Sequence, residues 1–216
     1  MKKLFLAIRH GDLDLVRKII EAKPELVNCT AKQPPKKDDG QSPLQVALKT
    51  EHHEIANYLI DAGADLNFIE DESCCNEMRQ PVLFDAVGNA VFCSRWNVFY
   101  QNHGLEVKST KENADAAYGL LEKMLKNGAD TKAVDSYGFS VIWHFASEAN
   151  QILPGYEDHE KRIYRDDRHF TDELRADLTR IYKLLVEYGA DVDYVSPSLG
   201  KTVREFLHTP VLEIIN

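Results

Sequence analysis

Chemistry in this chain would have to come from three groups of residues. His52-His53-Glu54 sets two imidazoles and a carboxylate in consecutive positions, a combination that suggests metal ligation. All three belong to or adjoin a short polar break between two helix-period runs, and read as turn residues. His159 and His169 stand among Glu157, Asp158, Glu160, Asp166 and Asp167, which are donors for a divalent cation. Their alternation with Lys161, Arg162, Arg165 and Arg168 reads instead as a mixed-charge solvated segment. Four cysteines, Cys29, Cys74, Cys75 and Cys93, have neither a disulfide-framework nor a Cys-x-x-Cys spacing, so free thiols in a reducing compartment are expected. There is no glycine-rich phosphate loop, no Gly-x-Ser-x-Gly elbow and no His-Glu-x-x-His. The expectation is a chain with no catalytic residues, no cofactor and no metal.

Composition narrows the class. With 216 residues and 44% hydrophobic content the chain can bury a sizeable core in one compact or elongated domain. No apolar run approaches the roughly 18 residues of a membrane span. Met1-Lys2-Lys3 has the basic start of a signal peptide, but Arg9-His10-Gly11-Asp12 cuts the following apolar stretch to about five residues. A cytoplasmic protein is expected. A net charge of −9 argues against nucleic-acid or anionic-membrane partners. If the acidity matters for binding, the partner is basic.

The elements that would position any site are clearest between Gly40 and Asn67. Ser42 can cap a helix, and Pro43 falls at the first helical position, where its missing N–H costs nothing. Leu44, Ala47 and Leu48 recur at helical spacing, as do Ile55, Ala56, Leu59 and Ile60 after the polar break. Gly63 then supplies a left-handed C-cap. That is helix, tight turn, helix. The stretch Ser42-Pro43-Leu44-Gln45-Val46-Ala47 with the closing Gly63-Ala64-Asp65-Leu66-Asn67 resembles one ankyrin repeat, in which the first segment reads T-P-L-H-x-A. The resemblance implies an all-α solenoid of stacked helix-turn-helix units joined by β-turn or hairpin fingers. It also places His52-His53-Glu54 at the inter-helix turn.

Measured against that copy, the whole chain forms a single domain of four repeats, about 1–28, 38–67, 78–132 and 135–193, with a partial C-terminal cap at 198–216. In the first, Leu4, Ala7, Ile8 and Leu15, Val16, Ile19, Ile20 form two inward faces, leaving Lys2, Lys3, Arg9, Arg17 and Lys18 to solvent. Cys29–Asp39 reads as a solvated loop, and Phe68–Gln80 as a second enlarged finger. Phe84 and Gln45 stand where the family usually writes His. Asp135–Phe145 opens the fourth repeat. The closing glycines Gly63, Gly128 and Gly189 are 65 and 61 residues apart, nearly twice the family's period of about 33. Either each interval hides a degenerate repeat or each holds an insertion between its helices. A single inner-helix opening and a single closing segment per interval favour insertions, at about 94–113 and 151–171, emerging side by side.

The resemblance implies a concave groove lined by finger tips and inner helices, presenting Asp38, Asp39, Gln41, Lys49, Thr50, Ser136, Tyr137, Phe139, Ser147 and Glu148. Tyr137 and Phe139 flank a turn glycine and are the preferred anchors, although Phe139 can equally pack on the next finger. Trp96, Phe99 and Tyr100, with Arg95 and His103, give the first insertion either a cover for the inner helices or an added binding ridge. Tyr156, Tyr164, Arg165, Arg168 and Phe170 leave the second open in the same way. The function expected is a non-enzymatic protein–protein interaction module, an adaptor or inhibitor. Alternatives are an immunity- or antitoxin-like neutraliser of a basic effector, an enzyme using a metal or small ligand between the insertions, and a structural subunit.

Overall fold

The computed structural model describes residues 1–32, 36–73, 77–158, 160–165 and 167–216. Pro34, Pro35, Cys74, Cys75, His159 and Asp166, singled out from the sequence, lie outside the described residues. Helices pair along the chain: α1 (Lys2–Arg9) with α2 (Leu13–Ala22), α3 (Pro43–Lys49) with α4 (His53–Asp61), α5 (Val82–Phe92) with α6 (Lys111–Lys126), and α7 (Val141–Ile152) with α8 (Asp172–Glu187). Two short helices, α9 (Val203–Phe206) and α10 (Leu212–Ile215), follow. Odd-numbered helices pack on one another in one row, even-numbered ones in a second, with α10 against α8. The core is the continuous seam between the rows, from Leu4 and Ile8 through Leu44, Phe84 and Phe145 to Val203 and Ile215.

Local chemistry accounts for the helix starts. Ser42 accepts the Gln45 N–H at 3.2 Å while the Gln45 side chain accepts the Ser42 N–H at 3.1 Å, and Pro43 is the first helical residue. Thr202 and Glu205 repeat this reciprocal cap on α9. Thr110 and Thr171 cap α6 and α8, so those helices begin before their apolar periodicity does. Helices α4, α6 and α8 run out at Gly63, Gly128 and Gly189, with φ of +88°, +92° and +88°, the left-handed region that only glycine enters without strain.

Successive units are tied by the closing segments. The Asn28 side chain accepts the Asp65 N–H at 2.7 Å and donates to the Gly63 carbonyl at 3.1 Å. Asn67 repeats both bonds one unit on, to Asp130 (2.8 Å) and Gly128 (3.2 Å). In the next unit the tie comes from one position earlier, where the Thr131 hydroxyl donates to the Tyr188 carbonyl at 3.0 Å. Fingers are closed by antiparallel pairs at Ile69 with Pro81, Val134 with Ser140, and Ser196 with Lys201.

The described chain is mostly helical, as an all-α repeat fold requires, and two short hairpins are added to it. Between α5 and α6 lies a hairpin of β1 (Asn97–Tyr100) and β2 (Gly104–Val107), and between α7 and α8 a second of β3 (Tyr156–Asp158) and β4 (Ile163–Tyr164). The first hairpin is joined to the segment after β4: the Asn97 side chain both donates to the His169 carbonyl and accepts its N–H, each at 2.8 Å. The Phe99 N–H reaches the Asp167 carbonyl at 2.9 Å, and the Phe99 and His169 rings stack. Arg9, expected on the solvent face, is half-buried instead and grips Asp38.

Candidate partner-binding groove

The row of odd-numbered helices, together with the fingers that precede them, forms a groove with two cavities. They exist because neighbouring helices differ in length. Helix α7 has twelve residues and α9 only four, after which Leu207 turns extended. The second half of α7 therefore extends past the end of α9, and a cavity of about 540 Å³ opens against Phe139, Trp143, Ser147, Glu148, Phe206 and Leu207. Likewise α3 has seven residues against eleven in α5. There a cavity of about 300 Å³ lies over Lys49, Phe84, Asp85 and Asn89, at a point where Gly88 carries no side chain to fill it. His144 and Glu148 line both.

The smaller cavity is lined by a buried polar cluster. Lys49 Nζ is 2.8 Å from Glu70 Oε1 and 3.4 Å from Asp85 Oδ1. Gln45 and Gln80 donate to the two Asp85 oxygens at 2.8 and 2.7 Å, and Gln80 N–H reaches Glu70 at 3.2 Å. Gln45 thus bonds α3 to α5. Burial pushes the Asp85 carboxyl up to about 6, against the pull of Lys49 and the two amides and with the help of Glu70's charge. Burial alone would lower the Lys49 ammonium, but two carboxylates share this one cation and raise it above its ordinary value. His144 stacks on Phe84 with centroids 4.8 Å apart. Burial, reinforced by the Lys49 charge and partly opposed by a hydrogen bond at the Phe84 backbone, lowers its imidazole to about 4. At neutral pH it is uncharged, so its 3.8 Å approach to Glu148 is no ion pair. Burial, with Asp85's charge added, raises Glu148.

Of the residues expected in the groove, Lys49, Phe139, Ser147 and Glu148 line the cavities, and Ser136 and Tyr137 are exposed on the finger before α7. Phe139 packs at a tilt against Trp143, with centroids 5.3 Å apart. Others are placed differently. Asp38 is 0% exposed, both carboxylate oxygens turned to Arg9. Gln41 is buried on Glu70 at 3.1 Å, and the Thr50 hydroxyl donates to the Val46 carbonyl of its own helix at 2.7 Å. Asp39 is half-buried, accepting from Ser73. Trp96 is half-buried against the core, its indole N–H bonded to the Phe92 carbonyl and its ring under Arg168. Phe99 and Tyr100 are exposed on β1 and do not line either cavity.

Trp143, His144, Asp85 and Phe206 are the groove residues that sequence reasoning missed. Trp143 stands at the same repeat position as Gln45, and the exposed face of an inner helix follows from that register, so three of the four had a signal. Phe206 did not, since nothing local says that α9 stops there. Among the described residues no three His, Cys, Asp or Glu side chains converge as metal ligands, and no helix is long and apolar enough to cross a membrane. Compared with known families, residues 4–93 match the family model for ankyrin repeats (3 copies), the stretch from α1 to the end of α5.

Proposed function

We propose, on the premise that residues 4–93 match ankyrin repeats, that the chain is a non-enzymatic adaptor or inhibitor that captures a partner protein in the groove of its odd-numbered helices. Repeats of this family are generally protein–protein interaction modules. The observation that carries the reading is the cavity of about 540 Å³ beside α7, whose Trp143 and Phe206 rings lie 5.5 Å apart and whose Phe206 and neighbouring Leu199 are exposed. Open apolar surface inside a polar rim is what an interface anchor needs. The carboxylates around it, with a net charge of −9, support a basic partner. The two described cysteines are unpaired, which supports a reducing, cytoplasmic setting, and burial pushes the Cys93 thiol up to about 12, leaving it inert.

The test is affinity capture from the native source with wild-type, Tyr137→Ala and Phe206→Ala chains. The reading expects a stoichiometric protein partner lost about tenfold or more in Phe206→Ala, a change of about 1.4 kcal/mol. Thermal unfolding should be little altered, because Phe206 is 44% exposed and Tyr137 47%. A partner held equally by all three chains would remove the groove from the account.

A further inference from the structure

Three features of the larger cavity point to the kind of group it takes. Its floor is aromatic: Trp143 lies between Phe139 at 5.3 Å and Phe206 at 5.5 Å, the rings tilted by 54° and 50°. Its rim is acidic, with Glu148 on α7 and Asp135 on the preceding finger. Among the described residues no lysine or arginine lines it, and His144 is uncharged at neutral pH. The Asp135 carboxylate organises the finger turn, accepting the Tyr137 and Phe139 N–H groups at one oxygen, both at 2.9 Å. Glu148 accepts from the Gln151 amide at 2.6 Å, a neutral donor that leaves its charge uncompensated.

We propose that this cavity is an arginine subsite, in which a partner's guanidinium stacks on the aromatic floor and pairs with Glu148. The proposal rests on the groove being the partner-binding face. A purely apolar side chain would strip water from two carboxylates and return nothing to them. A lysine would satisfy the charge, but its compact ammonium is strongly hydrated and does not stack. A guanidinium is planar, weakly hydrated and forked, matching rings and carboxylate at once. Asp135, held by the turn, contributes field, and Glu148 contributes the contact.

The experiment titrates the full chain with acetyl-Leu-Arg-Leu-amide and with the same tripeptide carrying lysine, citrulline or norleucine at the centre. The readout is the nitrogen-15 resonance of the Trp143 indole N–H, with the Trp96 indole as internal reference. The arginine peptide should shift Trp143 and not Trp96, and citrulline, its uncharged isostere, should bind at least tenfold more weakly. Lysine should fall between them. Glu148→Gln should weaken the arginine peptide about fivefold or more and leave citrulline unchanged. Glu106→Gln, the same charge change on strand β2, should alter neither. Citrulline or norleucine binding as well as arginine overturns the proposal, as do equal losses from the two glutamate variants. So does an unmoved Trp143 with every peptide at about 100 mM, above the Kd that a charged, stacked contact supplies. If the peptides fail while Phe206→Ala still releases the captured partner, the subsite falls and groove binding stands. If both fail, both readings fall.

Discussion

Asp177 on α8 decides whether the first hairpin is part of the folded stack. It is 2% exposed and receives the Arg95 backbone N–H at 3.1 Å and the Arg95 Nε and Nη2 at 2.8 and 2.9 Å, with Arg180 Nη2 a further 3.2 Å away. Asp177→Ala strands that guanidinium and N–H at the base of β1. Breaking a buried ion pair costs about 3–5 kcal/mol. The Arg95 side chain is 22% exposed and can partly rehydrate, so the low end applies, about 3 kcal/mol. For a chain of this length that corresponds to a fall in melting temperature of about 6–12 °C. Circular dichroism melts supply the stability, and amide hydrogen exchange over 97–107 locates the loss. Exchange should rise throughout β1 and β2, since the Asn97–His169 bonds and the Phe99 N–H depend on the same seating. A shift below about 2 °C, with hairpin protection unchanged, would refute the view that this pair anchors the hairpin.

Asp38→Asn should lower stability by about 2 kcal/mol, by urea titration, because it leaves Arg9 with a neutral acceptor. Partner capture by the folded fraction should be unaffected. His144 gives a pH dependence. Its folded pKa of about 4 lies below the ordinary 6.5, so it contributes stability above pH 6.5 that is lost as the pH falls toward 4. The loss is at most about 3 kcal/mol, and the difference between wild type and His144→Gln should shrink by that amount across the window. Asp85, raised to about 6, acts in the opposite sense, its contribution lost as pH rises through 6, so the comparison must be made variant against wild type. Gly40→Ala should cost about 1–3 kcal/mol, because φ is +84° and the new Cβ would lie 2.7 Å from the Asp71 carbonyl oxygen.

What the sequence made legible is what short-range chemistry determines. Ser42, Pro43 and Gly63 bound a helix pair by capping and backbone freedom alone, and the structure shows each in that role. Helices α6 and α8 begin three and two residues before Ala114 and Leu174, where apolar spacing put their starts, because their polar first turns carry no hydrophobic signal. The first hairpin did leave a trace. Val98-Phe99-Tyr100 and Leu105-Glu106-Val107 flank a four-residue stretch ending at Gly104, whose φ is +80°, a common hairpin pattern. Asp38 was misplaced for a reason no local pattern reveals. An aspartate in a proline- and charge-rich loop reads as solvated until Arg9, 29 positions away, is seen to reach it. The cavities were hidden in the same way, since they arise from length differences between helices that meet only when the repeats stack.

The most direct measurement on the groove is hydrogen–deuterium exchange of the full chain, free and saturated with its captured partner. The account expects new protection in the finger 135–140, along 141–148 and at 199–207, with the outer helices α2, α4, α6 and α8 unchanged. Protection confined to those outer helices, with the groove exchanging as in the free chain, would contradict it.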